Sequence, residues 1–451
     1  MTPSDSNIPG VPSDKPPRDT PTDSGESSEA ASTPAGLSRR GLLGLLGIGA
    51  SAGFIGGAAT VAAVARGEAV APTNGDQFPF YGTTQAGVTT PAQDRLFFAT
   101  FDVTASATRD DLIELLQDWS YAASRLTQGL DVSERGAVGG SPLLPPDDTG
   151  DALGLPASGL TITFGVGPSL FQDANGNDRF GIADRKPAAL ADLPAFAFDL
   201  LSPSMTGGDL CIQACADDPQ VAVHAVRNLS RIAFGRAQIR WSQLGFGRTS
   251  STSSAQQTPR NLFGFKDGTA NVMSEEKDAL AKHIYVDSTS DQGWMNGGTY
   301  LVARKILMTI ESWDRARLEE QENIIGRDKG EGAPLSGGSE FTEPNFEAVH
   351  SAGGPAIPVD SHVRLAHPKL NDGIRLLRRG YNYVDGNNDL GQLNAGLFFI
   401  SFQNDPEHFV RIQKNLKMDT LNEYIRHVGS AVFAIPPGTS PGGYVGEGLF
   451  A

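Results

Sequence analysis

The chain has 451 residues, enough for two or three domains of ordinary size. It contains 53 glycines, 29 prolines and 39% hydrophobic residues, which predicts a globular protein with many loops. The net charge of −16 argues against a nucleic-acid partner, because such a partner requires a cationic surface to neutralise its phosphates. Two cysteines in the whole chain exclude a disulfide-stabilised scaffold.

The first 65 residues differ in composition from the rest. Residues 1–37 nearly lack large apolar side chains, so they are predicted to be disordered. A twin-arginine pair at 39–40 precedes an apolar run that ends in Ala-Val-Ala at 63–65, which is typical of a Tat export signal. A single transmembrane anchor is the alternative, because the run is long enough to span a bilayer. Cleavage after residue 65 removes four basic and six acidic residues, so the net charge of −16 becomes −14.

Strand and helix signals alternate after a linker or arm at 66–92. Residues 95–101 form a compact apolar run that predicts a strand. The capping pattern at 108–111 starts a predicted helix, with Leu112, Leu115, Leu116 and Trp119 on one face. A loop rich in Gly and Pro covers 129–158, and a second strand is predicted at 160–166.

An internal repeat is the clearest sign of organisation. Residues 209–229 and 396–416 align without a gap at an offset of 187. Each segment has a strand pattern, an Asp-Pro helix start and an amphipathic helix that ends in Asn-Leu. Proline at the first helical position explains the shared Asp218-Pro219 and Asp405-Pro406. The repeat predicts two similar α+β halves with antiparallel sheets.

The predicted halves are residues 93–250 and 251–451, joined by a connector rich in Ser, Thr and Gln at 249–258. The strand and helix at 95–119 have a weaker counterpart at 299–325.

Cys211 and Cys215 fall in the first strand of the repeat. Four residues of strand separate them by about 13 Å, which is too far for a disulfide. Both are predicted to be small buried apolar residues.

Two segments carry candidate chemistry. Gly264 and Gly268 frame Asp267 in the segment at 260–271, and such glycines let the backbone approach a flat ligand. A simple Asp-Gly turn is the alternative. His362 follows a predicted strand, and an arginine pair lies sixteen residues later at 378–379. Taken alone, a single histidine is more often a structural residue.

Together these motifs are similar to a known family. GFKDGTAN at 264–271, DSHVRLAHP at 360–368 and LLRRGYNY at 376–383 resemble the signature of dye-decolorizing (DyP-type) haem peroxidases. LTITFGVGPSLF at 160–171 is also similar to that family, and the resemblance spans roughly residues 80–440. It is strongest to the Tat-exported branch that includes the bacterial deferrochelatases. The implied fold is a pair of ferredoxin-like α+β halves of the dimeric α+β barrel type, with haem in the C-terminal half.

The resemblance assigns roles to individual residues. It implies that His362 is the proximal ligand of the haem iron, Asp267 the distal acid and Arg378 the distal arginine. His367 stands where the branch usually has Asn, which leaves His367 as an alternative ligand. Residues expected along the haem are Gly268, Thr269, Ala270, His367, Pro368, Lys369 and Arg378.

These residue types suit peroxide chemistry. Peroxide must move a proton between its oxygens before the O–O bond breaks, and the Asp267 carboxylate can shuttle that proton. Arg378 stabilises negative charge on the leaving oxygen. A carboxylate on the second ring nitrogen of His362 would make the ligand more electron-rich, and Asp405 and Glu423 are the candidates.

The implied activity is haem-dependent oxidation of organic donors such as dyes and phenolics by hydrogen peroxide, with one haem b per chain. Tyr381, Tyr383 and the tryptophans are candidate electron relays to bulky donors at the surface, with core packing as the alternative. The alternative function is a deferrochelatase that releases iron from haem with the tetrapyrrole intact, in partnership with an iron-uptake permease. A non-enzymatic haem carrier is a third hypothesis.

Tat export carries folded proteins, often with a cofactor already inserted, and so fits a cofactor enzyme. We expect an extracellular, periplasmic or cell-envelope protein, and a homo-oligomer is compatible with the sequence.

Overall fold

The computed structural model describes residues 76–173, 175–351 and 353–451. The predicted disordered leader and Tat signal at 1–65, and the first part of the arm at 66–92, lie outside the described residues. Within the described part, no helix combines the length and apolar character needed to cross a membrane.

Nine strands in the described residues belong to one hydrogen-bonded sheet, and the paired strands are antiparallel. They are β1 (Arg95–Val103), β2 (Thr161–Val166), β3 (Leu210–Ala216), β4 (Ala237–Arg248), β5 (Thr299–Met308), β6 (Leu377–Arg378), β7 (Tyr381–Asn387), β8 (Leu393–Gln403) and β9 (Ile425–Ile435).

The same strand order occurs twice in this sheet. β2-β3-β1-β4 forms the N-terminal part and β9-β5-β8-β7 the C-terminal part, because β5 pairs with both β8 and β9. When the four strands of each part are taken in chain order, the first and third lie in the middle and the second and fourth at the edges, as in a ferredoxin-like fold. The predicted α+β class with two similar halves is confirmed. The halves meet through short pairings, β2 with β9 at one residue pair and β4 with β7 at two.

The helices complete the two halves. They are α1 (Arg109–Leu126), α2 (Pro168–Phe171), α3 (Pro219–Ile232), α4 (Lys277–Ala279), α5 (Ile310–Trp313), α6 (Leu318–Ile325), α7 (His362–Ala366) and α8 (Pro406–Asn415), with a π-helical turn at Leu280–Ile284. Short 3₁₀ turns occur at Ala183–Arg185, Pro203–Met205, Gly293–Met295, Pro368–Leu370, Leu416–Met418, Thr420–Glu423 and Glu447–Leu449.

The sequence repeat corresponds to β3 with α3 and to β8 with α8. Asp218 caps α3 by accepting a hydrogen bond from the backbone of Gln220, and Asp405 caps α8 in the same way through Glu407. Both helices have proline as their first residue, as predicted. The capping box at Thr108 and Asp111 also starts α1 where the pattern placed it.

Aromatic side chains fill the core on both faces of the N-terminal sheet. Trp119 of α1 stacks on Phe164 of β2 and meets Phe101 of β1 edge-on. A second cluster joins the two halves, where Phe98 of β1 contacts Phe398 of β8. Cys211 and Cys215 lie in this second cluster as buried free thiols, which confirms their predicted role. Burial raises the pKa of the Cys211 thiol.

A buried histidine with two carboxylates holds the long loop at 129–158 against α3. His224 Nδ1 lies 2.8 Å from Asp151 Oδ1, and His224 Nε2 lies 3.5 Å from Asp148 Oδ2. Burial opposes the charged imidazolium, but hydrogen bonds to these two carboxylates outweigh it and raise the pKa of His224. Burial likewise acts to raise the pKa of Asp151, but hydrogen bonds from His224 and Thr149 lower it to about 2.

This cluster predicts a defined pH window of stability. The contribution of His224 to the free energy of unfolding is complete below pH 6.5, the ordinary pKa of histidine. It is lost as the pH rises through the higher pKa of His224 in the folded state. The Asp151 contribution is complete above pH 3.8 and is lost as the pH falls towards 2. We expect His224→Asn to lower the free energy of unfolding by about 1–3 kcal/mol at pH 5 and by much less at pH 9.

Urea unfolding at a series of pH values measures this difference. His283→Asn is the control, because His283 is similarly buried but its pKa is lowered by burial and nearby cations. An equal loss of stability at pH 5 and pH 9 in His224→Asn would show that the histidine acts only by packing.

Candidate functional site

The predicted site residues line one cavity of about 610 Å³ in the C-terminal half. The structure brings together residues that lie up to 111 positions apart in the chain. The predicted residues in the lining are Asp267, Gly268, Thr269, Ala270, His362, His367, Pro368, Lys369 and Arg378.

The cavity lies between the C-terminal part of the sheet and the helices that cover it. Apolar side chains of β5 and β8 form one wall, and α8 contributes Phe409 and Ile412. From the sheet come Ile306, Met308, Leu397 and Phe399. About half of the remaining lining belongs to the segments at 260–271 and 361–383, and the cavity is largely apolar with polar groups at selected points.

His362 is the first residue of the short helix α7, and its imidazole lies in the cavity. Its Nδ1 lies 2.6 Å from Asp419 Oδ2, which is the geometry of an N–H donating to a carboxylate. Its Nε2 has no hydrogen-bond partner in the described residues and is the nitrogen left for a ligand. Burial acts to lower the pKa of His362, but the charge and hydrogen bond of Asp419 outweigh burial and raise it.

The carboxylate partner of His362 differs from the prediction. The sequence offered Asp405 or Glu423, and both assignments are wrong. Asp405 caps α8, and no hydrogen bond joins Glu423 to His362. Asp419 caps the neighbouring 3₁₀ turn through a 2.9 Å hydrogen bond from the backbone of Leu421, which fixes its second oxygen towards the imidazole. The sequence Asp419-Thr420 is typical of a helix cap and could have marked this residue. Its contact with His362, 57 residues away, depends on tertiary packing.

Asp267 and Arg378 form an ion pair in the same cavity. Arg378 Nη1 donates to Asp267 Oδ1 at 3.0 Å, and Asn261 Nδ2 donates to Asp267 Oδ2 at 3.2 Å. Both side chains are partly exposed to the cavity, at 25% for Arg378 and 18% for Asp267. The next residue, Gly268, has φ +88°, and a Cβ there would lie 2.9 Å from the backbone of Ser250. Glycine is therefore required at this position by its positive φ and by the approach to Ser250, whereas the predicted approach to a flat ligand stays a prediction.

His367 is engaged by polypeptide at both ring nitrogens, unlike His362. Its Nδ1 accepts from the backbone N–H of Lys369 at 3.2 Å, and its Nε2 lies 3.5 Å from Glu343 Oε1. The ring also packs edge-on against Phe346. Of the two candidate ligands, the geometry therefore favours His362.

Other charged residues of the lining were not predicted. Six lysine and arginine side chains and four carboxylates line the cavity, and two of the cations, Arg304 and Arg375, pair with carboxylates outside the lining. The unpredicted members are Lys266, Arg304, Arg327, Arg375, Glu340, Glu343 and Asp419. Arg304 is 1% exposed and pairs with Asp199 and Ser430, and no motif in the sequence marked it.

The donor set and the shape of the cavity fit a haem group. A free imidazole nitrogen can bind iron, the apolar walls can hold a flat macrocycle, and the lysine and arginine side chains of the lining can meet carboxylate substituents. Tyr381 and Tyr383 are not in this lining; both are fully buried in the second core cluster. Neither can therefore meet a donor at the surface. The tryptophan that packs against the cavity wall is Trp313, stacked 4.2 Å from Phe263.

The chain belongs to the DyP-type peroxidase family. The family's two sequence models, "Dyp-type peroxidase, N-terminal" and "Dyp-type peroxidase, C-terminal", match residues 85–247 and 258–440. It is therefore an enzyme of this haem peroxidase family.

Individual relatives agree with this assignment. A protein named deferrochelatase from Yersinia pseudotuberculosis is 36% identical over 414 residues, covering 89% of this chain and 92% of the relative. The deferrochelatase of Escherichia coli K12 is 38% identical, covering 82% and 86%. Ferric DtpA from Streptomyces lividans is 37% identical with a TM-score of 0.75, covering 85% of this chain and 100% of the solved chain. A DyP-type peroxidase from Cellulomonas bogoriensis is 35% identical with a TM-score of 0.73, covering 84% and 99%.

The Asp419 contact leads to a prediction about haem binding. Asp419→Asn keeps the size of the side chain and its cap but removes the charge that holds His362. We expect haem affinity or peroxidase turnover to fall by about 10–100-fold. Haem titration of the apoprotein measures the affinity, and steady-state kinetics measures the turnover.

Asp405→Asn is the matched control, because asparagine also caps helices well and Asp405 does not contact His362. We expect wild-type haem affinity in this variant. Equal losses in the two variants would contradict the assignment of Asp419.

Proposed function

We propose that this chain is a haem b peroxidase, with one haem per chain, that oxidises dyes and phenolic donors with hydrogen peroxide. The observation that carries the proposal is the presence, in one apolar cavity, of a carboxylate-held histidine and a carboxylate–arginine pair. The first arrangement suits iron binding, and the second suits proton transfer to and from peroxide.

The residues of the chain have distinct roles in this chemistry. His362 would hold the haem iron through Nε2, and Asp419 orients the imidazole ring through Nδ1. The bound haem supplies the redox-active iron. Asp267 accepts a proton from one peroxide oxygen and returns it to the other.

Arg378 stays charged throughout and stabilises the negative charge that develops on the leaving oxygen. Its ion pair with Asp267 places both groups at one point of the cavity.

The test is peroxide-dependent oxidation of a donor dye by purified holoprotein. We expect turnover that needs both peroxide and haem, and that is strongly reduced in Asp267→Ala. Holoprotein with a full complement of haem and no turnover of phenolic or dye donors would contradict the proposal.

A second candidate function is removal of iron from haem with the tetrapyrrole left intact. It is favoured by relatives that are named deferrochelatase and cover most of this chain. One site can serve both activities, because both require haem in the cavity. Incubation of the protein with haem, followed by chromatography, tests this function: accumulation of protoporphyrin supports it, and recovery of unchanged haem contradicts it. An iron-uptake permease encoded beside this protein would be the expected partner.

We propose Tat export for this chain, with haem inserted before transport. The support is the twin-arginine pair at 39–40 and the apolar run at 41–65, which ends in an Ala-Val-Ala cleavage pattern. Replacing Arg39 and Arg40 by lysine should retain the protein in the cytoplasm. Unchanged export of that variant would contradict the proposal.

A further inference from the structure

Asn271 ends the motif segment at 264–271 but does not line the cavity. It is 2% exposed, and its backbone N–H closes a turn on the carbonyl of Gly268 at 3.0 Å. Asp267 directly precedes this turn and Asn271 ends it, so the acid and the buried amide lie only four positions apart in the chain.

The side-chain amide of Asn271 makes three hydrogen bonds, two of them to the backbone of Arg378. Oδ1 accepts from the Arg378 N–H at 2.6 Å, and Nδ2 donates to the Arg378 carbonyl at 2.8 Å. Nδ2 also donates to the carbonyl of Ser251 at 2.8 Å, in the segment that links the two halves. Both donor hydrogens of the amide are used.

These bonds complete the pairing of a very short strand. Arg378 lies in the two-residue strand β6, which pairs with β8 on one edge through Ser401. On the other edge, the amide of Asn271 provides the acceptor and the donor that a neighbouring strand would supply. The backbone around Arg378 is thereby held on both edges, by Asn271 at Arg378 itself and by the Arg379 N–H, which donates to Ile400 of β8 at 2.8 Å.

The guanidinium of Arg378 depends on this support. It donates a hydrogen bond to Asp267, the residue directly before the turn that Asn271 closes. One buried amide therefore sets the relative position of the acid and the arginine. Arg375 donates to the carbonyl of Asn271 and pairs with Glu276, so these are the other charged groups near it.

We propose that Asn271 is a positioning residue for the Asp267–Arg378 pair, acting on the proton-transfer step through the backbone of Arg378. The inference rests on the proposed haem peroxidase function. In this proposal Asn271 contacts neither peroxide nor haem. Its loss should therefore slow the reaction of peroxide or hydrogen cyanide with the holoprotein more than it weakens haem binding.

Cyanide binding to ferric holoprotein is the test, because hydrogen cyanide must lose a proton as it binds iron and so needs the same base and cation as peroxide. Stopped-flow absorbance gives the association rate as a function of pH. We expect Asn271→Ala to slow association by about 10–100-fold with near-normal haem affinity, as a misplaced catalytic group does.

Asn271→Asp supplies a readout that a merely structural role would not give. Its protonated carboxyl can accept from the Arg378 N–H and donate to one carbonyl, whereas its ionised form faces two carbonyls without a donor. We expect Asn271→Asp to bind cyanide near the wild-type rate at low pH and more slowly as the pH rises. Wild-type protein should lack this pH-dependent fall in the association rate. This variant also serves if Asn271→Ala does not fold.

Asn228→Ala is the control, because Asn228 is equally buried and makes a comparable set of bonds in the N-terminal half. We expect wild-type cyanide kinetics from it. Wild-type rates and pH profile in both Asn271 variants would overturn the inference while leaving the peroxidase proposal intact. Wild-type protein that binds neither haem nor cyanide would instead overturn the proposed function, and the inference with it.

Discussion

His362→Ala is expected to reduce peroxide-dependent turnover to the level of haem free in solution. The variant removes the imidazole whose Nε2 is available in the cavity. The two other histidines of the described lining are less suited, because polypeptide engages both ring nitrogens of His367, and His427 Nδ1 lies 3.9 Å from Asp199, which already pairs with Arg304. The empty space next to Asp419 should admit imidazole from solution. Steady-state oxidation of a donor dye, with and without added imidazole, measures the loss and the rescue.

Rescue by imidazole separates loss of the ligand from loss of the fold. His283→Ala controls for removal of a buried histidine, because His283 lies outside the cavity lining. Wild-type turnover in His362→Ala without added imidazole would contradict the assigned role of His362.

Arg378→Leu is expected to lower kcat/KM for peroxide by about 10²–10³-fold, the usual cost of removing one preorganised group that stabilises developing negative charge. Leucine fills similar space but leaves Asp267 with only the hydrogen bond from Asn261. Haem affinity should change little, because His362 and the apolar walls are untouched. Kinetics at varied peroxide and haem titration measure the two quantities separately.

The neighbouring Arg379→Leu is a poor control because Arg379 is buried and bound to backbone carbonyls of the arm. Lys369→Leu is a better one, since Lys369 lines the same cavity and its ammonium pairs with Glu343 instead of Asp267. Equal loss of kcat/KM in Lys369→Leu and Arg378→Leu would show that only the overall positive charge matters.

The sequence predicted the fold class because its signals are local. The Asp-Pro helix starts at 218–219 and 405–406 follow strand patterns, and the structure has β3–α3 and β8–α8 there. Three short motifs likewise located the nine predicted site residues, because each motif keeps its residues within a few positions of one another.

The carboxylate that holds His362 could not be predicted in the same way. Asp419 and His362 meet because the 3₁₀ turn at Thr420–Glu423 packs beside α7, a contact between segments 57 residues apart. Arg304 was missed for a similar reason, since its partners Asp199 and Ser430 lie 105 and 126 residues away. Asn271 was within a recognised motif, but its bonds to Arg378 follow only from the arrangement of β6.

The central claim is that the cavity binds haem through His362, and the most direct measurement is the electronic absorption spectrum of ferric His362→Ala compared with ferric His367→Ala. We expect His367→Ala to keep the wild-type Soret spectrum of histidine-ligated haem, and His362→Ala to lose it. A histidine-ligated spectrum retained in His362→Ala and lost in His367→Ala would contradict the claim.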